Sequence, residues 1–273
     1  MATSNKLVVI VGTTASGKSA AAMQIAQERG GEIICADSRT VYKGMDIGTA
    51  KPSAEDQKLV PHHLLDVVSP DQSFTAADFQ KLANKAIKDI QKRGKLPILV
   101  GGTGLYVDSV IYNFSFRPVD TKKRAQLEEL SVKQLQTKIV ELGLDLPAND
   151  QNPRHLIRTL ETNGTKSKKQ PMRANTLVLG IDVPSDVLKE RISKRVEQMI
   201  EKGLETEVSG LVDRYGWHAE AMKGIGYREW QGYFEGKQGL EATKELIVKN
   251  SWQYARRQRT WFRRNKDIHW QSY

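Results

Sequence analysis

The feature that most constrains this chain of 273 residues is a glycine-rich segment near its start, Gly12-Thr13-Thr14-Ala15-Ser16-Gly17-Lys18-Ser19. It fits the pattern G-x-x-x-x-G-K-[ST] and lies between a β-branched run, residues 6–11, and an Ala-rich stretch, residues 16–29. Between a strand and a helix, such glycines let backbone N–H groups wrap an anion. The lysine adds a positive charge and the serine hydroxyl can ligate Mg²⁺. The segment therefore predicts a phosphate-binding P-loop, with Ser19 as the metal-ligating residue, rather than a chance glycine turn.

Apolar runs alternate with helical stretches along the rest of the core. Strands are expected at residues 32–36, 64–68, 97–100 and 175–181. Helices are expected at 75–93, where Thr75 and Asp78 have capping-box spacing, at 185–202 after Pro184, and over most of 227–264. This alternation predicts an α/β fold, P-loop NTPase-like, with a parallel sheet, flanking helices and ligands at the carboxyl ends of the strands.

The segment from 117 to 173 departs from this pattern. It has polar helical stretches with spaced leucines, at 125–142 and 154–161, separated by Pro147, Pro153 and Gly164. We therefore expect an inserted helical subdomain at 117–173 within a core formed by 1–116 and 174–273.

The charge balance indicates a polyanionic partner. The chain has 42 Lys+Arg against 32 Asp+Glu, a net charge of +10. The excess concentrates at 256–266 and at 162–175, which includes Lys166, Lys168 and Lys169 and no acidic residue. A nucleic acid would fit these regions, and a solvated basic face is the alternative. Because Cys35 is the only cysteine, no intramolecular disulfide can form, and with no long apolar run we expect a cytoplasmic protein without a membrane segment.

Two strand ends carry candidate chemistry. Asp37 follows the 32–36 strand and is expected near the phosphate loop, where a carboxylate must serve a metal or accept a proton, or else form an Asp-Ser turn. A kinase or ATPase usually has a metal-binding carboxylate after another core strand, yet the 97–100 strand is followed by Gly101-Gly102-Thr103-Gly104. Asp182 could substitute, although the nearby Pro184 favours a helix-start role.

Several longer motifs resemble the tRNA dimethylallyltransferase family, also called tRNA isopentenyltransferases. In chain order they are residues 37–52 (DSRTVYKGMDIGTAKP), 61–66 (PHHLLD), 76–79 (AADF), 101–106 (GGTGLY), 224–227 (GIGY) and 254–264 (YARRQRTWFRR). The resemblance covers nearly the whole chain and is closest to the bacterial form, which lacks a C-terminal zinc finger. It implies transfer of a dimethylallyl group from dimethylallyl pyrophosphate to N6 of the adenosine 3′ of a tRNA anticodon, with release of pyrophosphate.

The resemblance also implies site residues. The P-loop with Mg²⁺, Lys18 and Arg195 would bind the pyrophosphate, Asp37 would accept the amine proton, and Thr103 would lie near the reacting carbon. The residues implied to contact the anticodon stem-loop are Asp37, Ser38, Arg39, Thr40, Arg124, Arg154, His155, Arg158, Lys223, Gly226, Tyr227 and Arg228. An exposed helical arginine is the alternative for Arg195.

Two positions depart from the family pattern, and three other functions stay open. Thr13 replaces a more usual proline, and His155 stands where an arginine is expected. The alternatives are prenylation of free AMP by an adenylate dimethylallyltransferase, an ATP-binding P-loop kinase, and an RNA-binding module with an inactive P-loop. We further expect a monomer, a buried Cys35, and core positions for Trp261 and Phe262.

Overall fold

The computed structural model describes residues 6–116, 120–165 and 170–272. The chain divides into two compact units. The first comprises Met1–Tyr112 and Met172–Tyr273, and the second comprises Asn113–Pro171. The sequence predicts an insert at 117–173, and its basic residues Lys166, Lys168 and Lys169 lie outside the described residues.

A parallel sheet forms the centre of the first unit. Its strands within the described residues are β1 (Leu7–Gly12), β2 (Gly31–Cys35), β3 (His62–His63), β4 (Leu96–Gly101), β5 (Thr176–Asp182) and β6 (Ile268–Ser272). The strand order is β3-β2-β4-β1-β5-β6, and every pairing is parallel. This topology confirms the predicted α/β fold, and the continuous apolar runs of β1 and β4 are typical of central strands covered on both faces.

Helices flank the sheet and build the second unit. In the first unit they are α1 (Lys18–Arg29), α2 (Ala54–Leu59), α3 (Ala76–Lys92), α4 (Gly104–Ile111), α8 (Ser185–Glu201), α9 (Leu204–Tyr215), α10 (Gln231–Phe234) and α11 (Leu240–Phe262). The second unit contains α5 (Thr121–Glu128), α6 (Val132–Glu141) and α7 (Pro153–Thr162). The predicted capping box of Thr75 and Asp78 is present at the start of α3. No helix in the described ranges is both long and apolar enough to cross a membrane.

The structure corrects several predicted elements. The strand predicted at 64–68 is absent from this fully described stretch, because Leu64 and Asp66 have left-handed backbone conformations with φ of 65° and 55°. The pairing falls instead on His62–His63 and on a single bridge between Tyr42 and Val68.

Helical boundaries and the last strand also differ from the prediction. The helix predicted from 16 begins at Lys18, because Ala15 and Gly17 have φ of 59° and 92°. The helix predicted over 125–142 is divided, because Ser131 forms a capping box with Gln134 and begins α6 there. Strand β6 was not predicted, although Ile268–Ser272 begins with an apolar and polar alternation.

Apolar contacts and one buried carboxylate hold the sheet to its helices. Ile10, Ile33 and Ile98 pack with the alanines of α1. Glu32, which is 4% exposed, bonds to Arg93 at the end of α3 and to His63 Nε2 at 2.7 Å. The Arg93 guanidinium holds the pKa of the Glu32 carboxyl below its usual range. This ionised carboxylate therefore links β2 to β3 through His63 and to the end of α3 through Arg93.

The carboxyl ends of β2 and β4 approach each other so closely that a glycine is required. A Cβ on Gly101 would lie 1.9 Å from the carbonyl oxygen of Ala36. The Ala36 N–H donates to the Val100 carbonyl at 2.7 Å, and the Thr103 N–H donates to the Ala36 carbonyl at 3.3 Å. This contact holds the segment after β2 against the segment after β4.

Replacement of Gly101 by alanine should destabilise the fold strongly. Because the new methyl group would meet backbone atoms, we expect the free energy of unfolding to fall by about 3 kcal/mol or more. Gly210→Ala is the matched control, since its nearest heavy atom is Arg214 Nη2 at 3.8 Å. An alanine in the middle of α9 should stabilise by about 0.5–1 kcal/mol. Urea denaturation of both variants measures these changes, and equal midpoints would contradict the strained contact.

Candidate phosphate-binding and acceptor site

The phosphate loop joins β1 to α1 in a closed, hydrogen-bonded turn. Lys18 Nζ donates to the Thr13 carbonyl at 3.1 Å, and the Ser16 N–H donates to the same carbonyl at 3.2 Å. A Cβ on Gly12 would lie 2.6 Å from Ser16 Oγ and 3.1 Å from the Ile181 carbonyl oxygen, so a side chain here would displace the loop. The first turn of α1 points its free N–H groups into the same space, as an anion site requires.

Asp37 and Thr103 lie side by side at the carboxyl edge of the sheet. Asp37 Oδ1 accepts the N–H groups of Arg39 at 2.8 Å and Thr40 at 3.4 Å, so the carboxylate closes an Asp turn. Thr103 Oγ1 accepts the Ser38 N–H at 3.1 Å. The turn uses Oδ1 and therefore leaves Oδ2 outside it, which makes a structural and a chemical role of Asp37 compatible.

Two partly buried cations face Asp37. Burial lowers the pKa of Lys18 to about 8, while the charge of Asp37 raises it and that of Arg195 lowers it. Burial also lowers the pKa of Arg195, against the opposing charge of Asp37, and its Nη2 donates to the Thr49 carbonyl at 3.1 Å. Arg195 is therefore not an exposed helical arginine. Both cations favour the binding of an anion, which would compensate their lost hydration.

Two cavities meet at these charges. The smaller, of about 100 Å³, is lined by Lys18, Ser19 and Asp37 and has an apolar wall that includes Ile33, Cys35 and Val100. The larger, of about 270 Å³, has a basic rim. Its rim residues are Arg39, Lys223, Arg228 and Arg257. Since Asp37 and Arg195 line both cavities, a small anion with an apolar tail and a larger polyanion could meet there.

Other predicted contact residues of the first unit divide into accessible and buried ones. Arg39 Nη1 donates to the Glu220 carbonyl at 3.2 Å, Lys223 pairs with the Glu220 carboxylate at 2.7 Å, and Arg228 pairs with Glu229 at 3.0 Å. These side chains, with Ser38 and Gly226, line the larger cavity. Thr40 lines the smaller cavity and is buried. The Tyr227 side chain is wholly buried and donates to Glu207 at 2.7 Å, so its phenol is not presented to a ligand.

The second unit presents its own predicted contact residues around one carboxylate. Glu161 accepts from Arg124 Nε at 2.7 Å and from Arg158 Nη1 at 3.2 Å. Arg154 lies in the first turn of α7, after the Asn152 cap, and His155 follows it on the exposed surface. The structure therefore places Arg124 and Arg158 together and leaves His155 accessible to solvent.

Four further residues for which the sequence predicts a role or a position have structural roles. Asp182 does not cap a helix; it pairs with Arg259 at 3.3 Å and with Arg263 at 3.1 Å, because it ends β5 beside α11. Cys35 is buried as expected, and burial raises the pKa of its thiol to about 12. Phe262 is a core residue, whereas Trp261 is 38% exposed and donates through Nε1 to Asp108 at 3.0 Å.

Sequence reasoning missed the polar residues that support the site. Gln258 on α11 accepts the Thr14 N–H at 2.8 Å, and Tyr254 on the same helix lines both cavities. Glu207 on α9 accepts the N–H groups of Asp46, Ile47 and Gly48 at 2.9, 2.7 and 3.1 Å. Gln258 and Tyr254 lie within the 254–264 motif, which was the only available signal. Nothing local in the sequence marks Glu207.

The donor set for a metal ion is sparse. Among the described residues, no group of three or more His, Cys, Asp or Glu side chains could hold a metal. Mg²⁺, however, usually keeps several waters and is bound through one or two protein oxygens together with substrate phosphates. Ser19 lines the smaller cavity. Thr40 lines the same cavity, and its buried Oγ1 has no hydrogen-bond partner among the described residues. These oxygens fit an ion that is bound together with a phosphate ligand.

A parallel sheet with a phosphate loop after β1, and with two cations and a carboxylate at its carboxyl edge, defines a P-loop type of α/β protein. A family model described as IPP transferase matches residues 40–265. A tRNA dimethylallyltransferase of Anoxybacillus flavithermus is 42% identical over 97% of this chain and 89% of its own length. One of Acetivibrio thermocellus is 40% identical over 97% of this chain and 91% of its own length. The chain therefore belongs to the IPP transferase family, which confirms the resemblance of its motifs.

Solved structures agree with this assignment. The tRNA isopentenylpyrophosphate transferase of Bacillus halodurans matches with a TM-score of 0.76 and 41% identity, over 98% of this chain and 90% of that protein. A eukaryotic dimethylallyltransferase, described as acting on tRNA, matches with a TM-score of 0.81 and 27% identity. This second match covers 98% of this chain and 74% of that protein.

The pKa of Lys18 predicts how the affinity for pyrophosphate depends on pH. Below about pH 8 the ammonium is protonated and attracts the anion, and above that value the free site loses this charge. Relative to Lys18→Arg, which stays charged, the affinity of the wild type should fall by about threefold to tenfold between pH 7 and pH 9. Calorimetric titration with pyrophosphate measures this ratio. A ratio that is constant over this range would contradict the assigned role of Lys18.

Proposed function

We propose that this protein transfers a dimethylallyl group from dimethylallyl pyrophosphate to the N6 amine of the adenosine 3′ of a tRNA anticodon. The observation that carries the proposal is the meeting of a phosphate loop, a short apolar wall and the Asp37 carboxylate in one site. A phosphate loop alone would suit many reactions. The apolar wall suits a small hydrocarbon group, and the carboxylate suits an acceptor that loses a proton.

The donor is proposed to lie in the smaller cavity. Its pyrophosphate would accept hydrogen bonds from the loop amides and form ion pairs with Lys18 and Arg195. The five-carbon group would pack against Ile33 and Val100. As the bond between C1 and the pyrophosphate oxygen breaks, its electron pair leaves with the pyrophosphate. The two cations would stabilise the negative charge that develops there, which is a transition-state effect.

The acceptor amine is proposed to approach C1 from the larger cavity. Its nitrogen lone pair forms the new C–N bond, and one N6 proton passes to Asp37, so that the secondary amine and free pyrophosphate are the products. An exocyclic aryl amine is a weak nucleophile, and a positioned carboxylate increases its reactivity. Thr103 lies on the loop after β4, next to Asp37. Its hydroxyl would contact the reacting carbon or the bridging oxygen.

Mg²⁺ is proposed as the cofactor. Bound by Ser19 and the donor's phosphate oxygens, the ion would supply additional positive charge to the leaving group. Thr40 Oγ1, which is buried and unpartnered among the described residues and belongs to the lining of the same cavity, supports an ion–phosphate complex at this position.

Recognition of tRNA is proposed to involve both units. The basic rim of the larger cavity would bind phosphates around an adenine that has left its stack, as base-modifying enzymes require. In the first unit, the residues that would contact tRNA are Lys223, Gly226 and Arg228. In the second unit, Arg124, Arg154, His155 and Arg158 would bind the anticodon stem through salt-dependent phosphate contacts. We propose that the protein acts on tRNA in the cytoplasm as a monomer.

Asp37→Asn tests the proton acceptor. The amide oxygen can still accept the Arg39 N–H, so the turn is retained while the base is lost. Transfer of labelled dimethylallyl groups to unmodified tRNA should fall by about 10²–10⁴-fold. Pyrophosphate affinity and tRNA affinity should fall by no more than about threefold, because the substitution removes no positive charge from the site.

The outcomes of this assay separate the candidate functions. Label at the adenosine 3′ of the anticodon supports the proposal, and near-normal turnover of Asp37→Asn would remove Asp37 from the chemistry. Label in free AMP alone would indicate an adenylate dimethylallyltransferase. Phosphate transfer from ATP without a prenyl donor would indicate a kinase, and tRNA binding without any product would indicate an RNA-binding module.

Ser19→Ala tests the magnesium proposal. Removal of one ligand should raise the Mg²⁺ concentration needed for half-maximal transfer by about tenfold, with the same maximal rate at saturating ion. Ser185→Ala, a serine at the start of a different helix, is the control. An unchanged Mg²⁺ dependence would place the ion elsewhere or show that it is dispensable.

A further inference from the structure

A buried glutamine connects the two loops that form the site. Gln258 on α11 is 5% exposed, and its Oε1 accepts the Thr14 N–H of the phosphate loop at 2.8 Å. Its Nε2 donates to the Gly102 carbonyl at 2.9 Å. Gly102 immediately precedes Thr103, so one side chain bonds to the loops that follow β1 and β4.

The fit around Gln258 is tight. A Cβ on Gly102 would lie 2.2 Å from Gln258 Nε2 and 3.3 Å from the Gly12 carbonyl oxygen. Gly102 therefore has to be a glycine for the amide to reach its carbonyl. A buried amide that is bonded through both its oxygen and its nitrogen is rigid and costly to disturb.

A second residue of the same helix also faces the site. Tyr254 lies one turn before Gln258 and lines both cavities, and the neighbouring side chains of Thr103 and Gln258 oppose the rise in the pKa of its phenol that burial causes. The α11 helix thus reaches the acceptor side of the site through Tyr254 and the donor side through Gln258.

We propose that Gln258 is a positioning residue that sets the separation between the phosphate loop and Thr103. The inference rests on the proposed function, because it concerns the alignment of the donor carbon with the acceptor amine. Gln258 lines the smaller cavity, but its amide oxygen and nitrogen are engaged by Thr14 and Gly102, so we assign it no contact with the reacting atoms. It fixes Thr14 and Gly102, and thereby the groups that hold the leaving group and the groups that face the nucleophile. A shift of about 1 Å between such groups can cost about a hundredfold in rate.

The test compares two glutamines of one helix. Gln258→Met keeps the side-chain length and removes both hydrogen bonds, while Gln253→Met makes the same change at an exposed position of α11. Gln258→Met should lower kcat by about a hundredfold, with KM for tRNA within about threefold of the wild type. Gln253→Met should leave kcat and KM unchanged. Thermal unfolding of each variant measures whether the fold is retained.

A second variant keeps the inference testable if Gln258→Met does not fold. In Gln258→Glu an ionised carboxylate can accept the Thr14 N–H but cannot donate to Gly102. A protonated carboxyl can accept the Thr14 N–H and also donate to Gly102. The transfer rate of Gln258→Glu relative to the wild type should therefore rise at least threefold as the pH is lowered by one unit towards the pKa of the introduced glutamate. A residue with a merely structural role would give a constant ratio.

The results distinguish failure of the inference from failure of the proposed function. A wild type that transfers no dimethylallyl group to tRNA overturns the function and the inference together. An active wild type with a Gln258→Met variant whose kcat lies within threefold of it overturns the inference alone. A loss of rate that equals the loss of folded protein, with a pH-independent Gln258→Glu ratio, also overturns it.

Discussion

The parallel pairing of β1, β2 and β4 is the constraint on which the site depends. Because these strands run in the same direction, the phosphate loop, Asp37 and Thr103 leave the sheet at one edge. The contact between Gly101 and Ala36 brings two of these exits together. The chemistry then needs few additional residues, since a buried framework already brings an anion site and a carboxylate to one place.

Polar side chains from distant helices complete what the sheet begins. Glu207 accepts three consecutive N–H groups from Asp46, Ile47 and Gly48 and the hydroxyl of Tyr227. The same loop continues to Thr49, whose carbonyl receives the Arg195 guanidinium. A carboxylate on the surface of α9 thus orients a cation of the site through the backbone between them. Such support accounts for the position of Arg195 better than its helix alone does.

Short, continuous patterns made the fold and part of the site predictable. The phosphate loop is a local motif between a strand and a helix, and Asp37 and Thr103 follow apolar strands, so the topology rules placed them correctly. The role of Gln258 could not be predicted, because its hydrogen bond to Thr14 joins residues 244 positions apart in the chain. No periodicity in a window of one helix encodes such a contact. The strand prediction at 64–68 was wrong although the pattern is local, because the left-handed conformations of Leu64 and Asp66 override the strand propensity of this apolar run.

Lys18 and Arg195 are like charges in one partly buried site, and both face the Asp37 carboxylate. Their mutual repulsion is relieved by an anion, so the folded state gains stability from whatever phosphate compound it binds. Free pyrophosphate carries more negative charge than the same group esterified to a hydrocarbon, and it meets the same two cations. In the proposed reaction, inhibition by the released pyrophosphate is therefore the expected consequence of this arrangement, and its escape from the two cations after the bond has broken would limit the rate of each cycle.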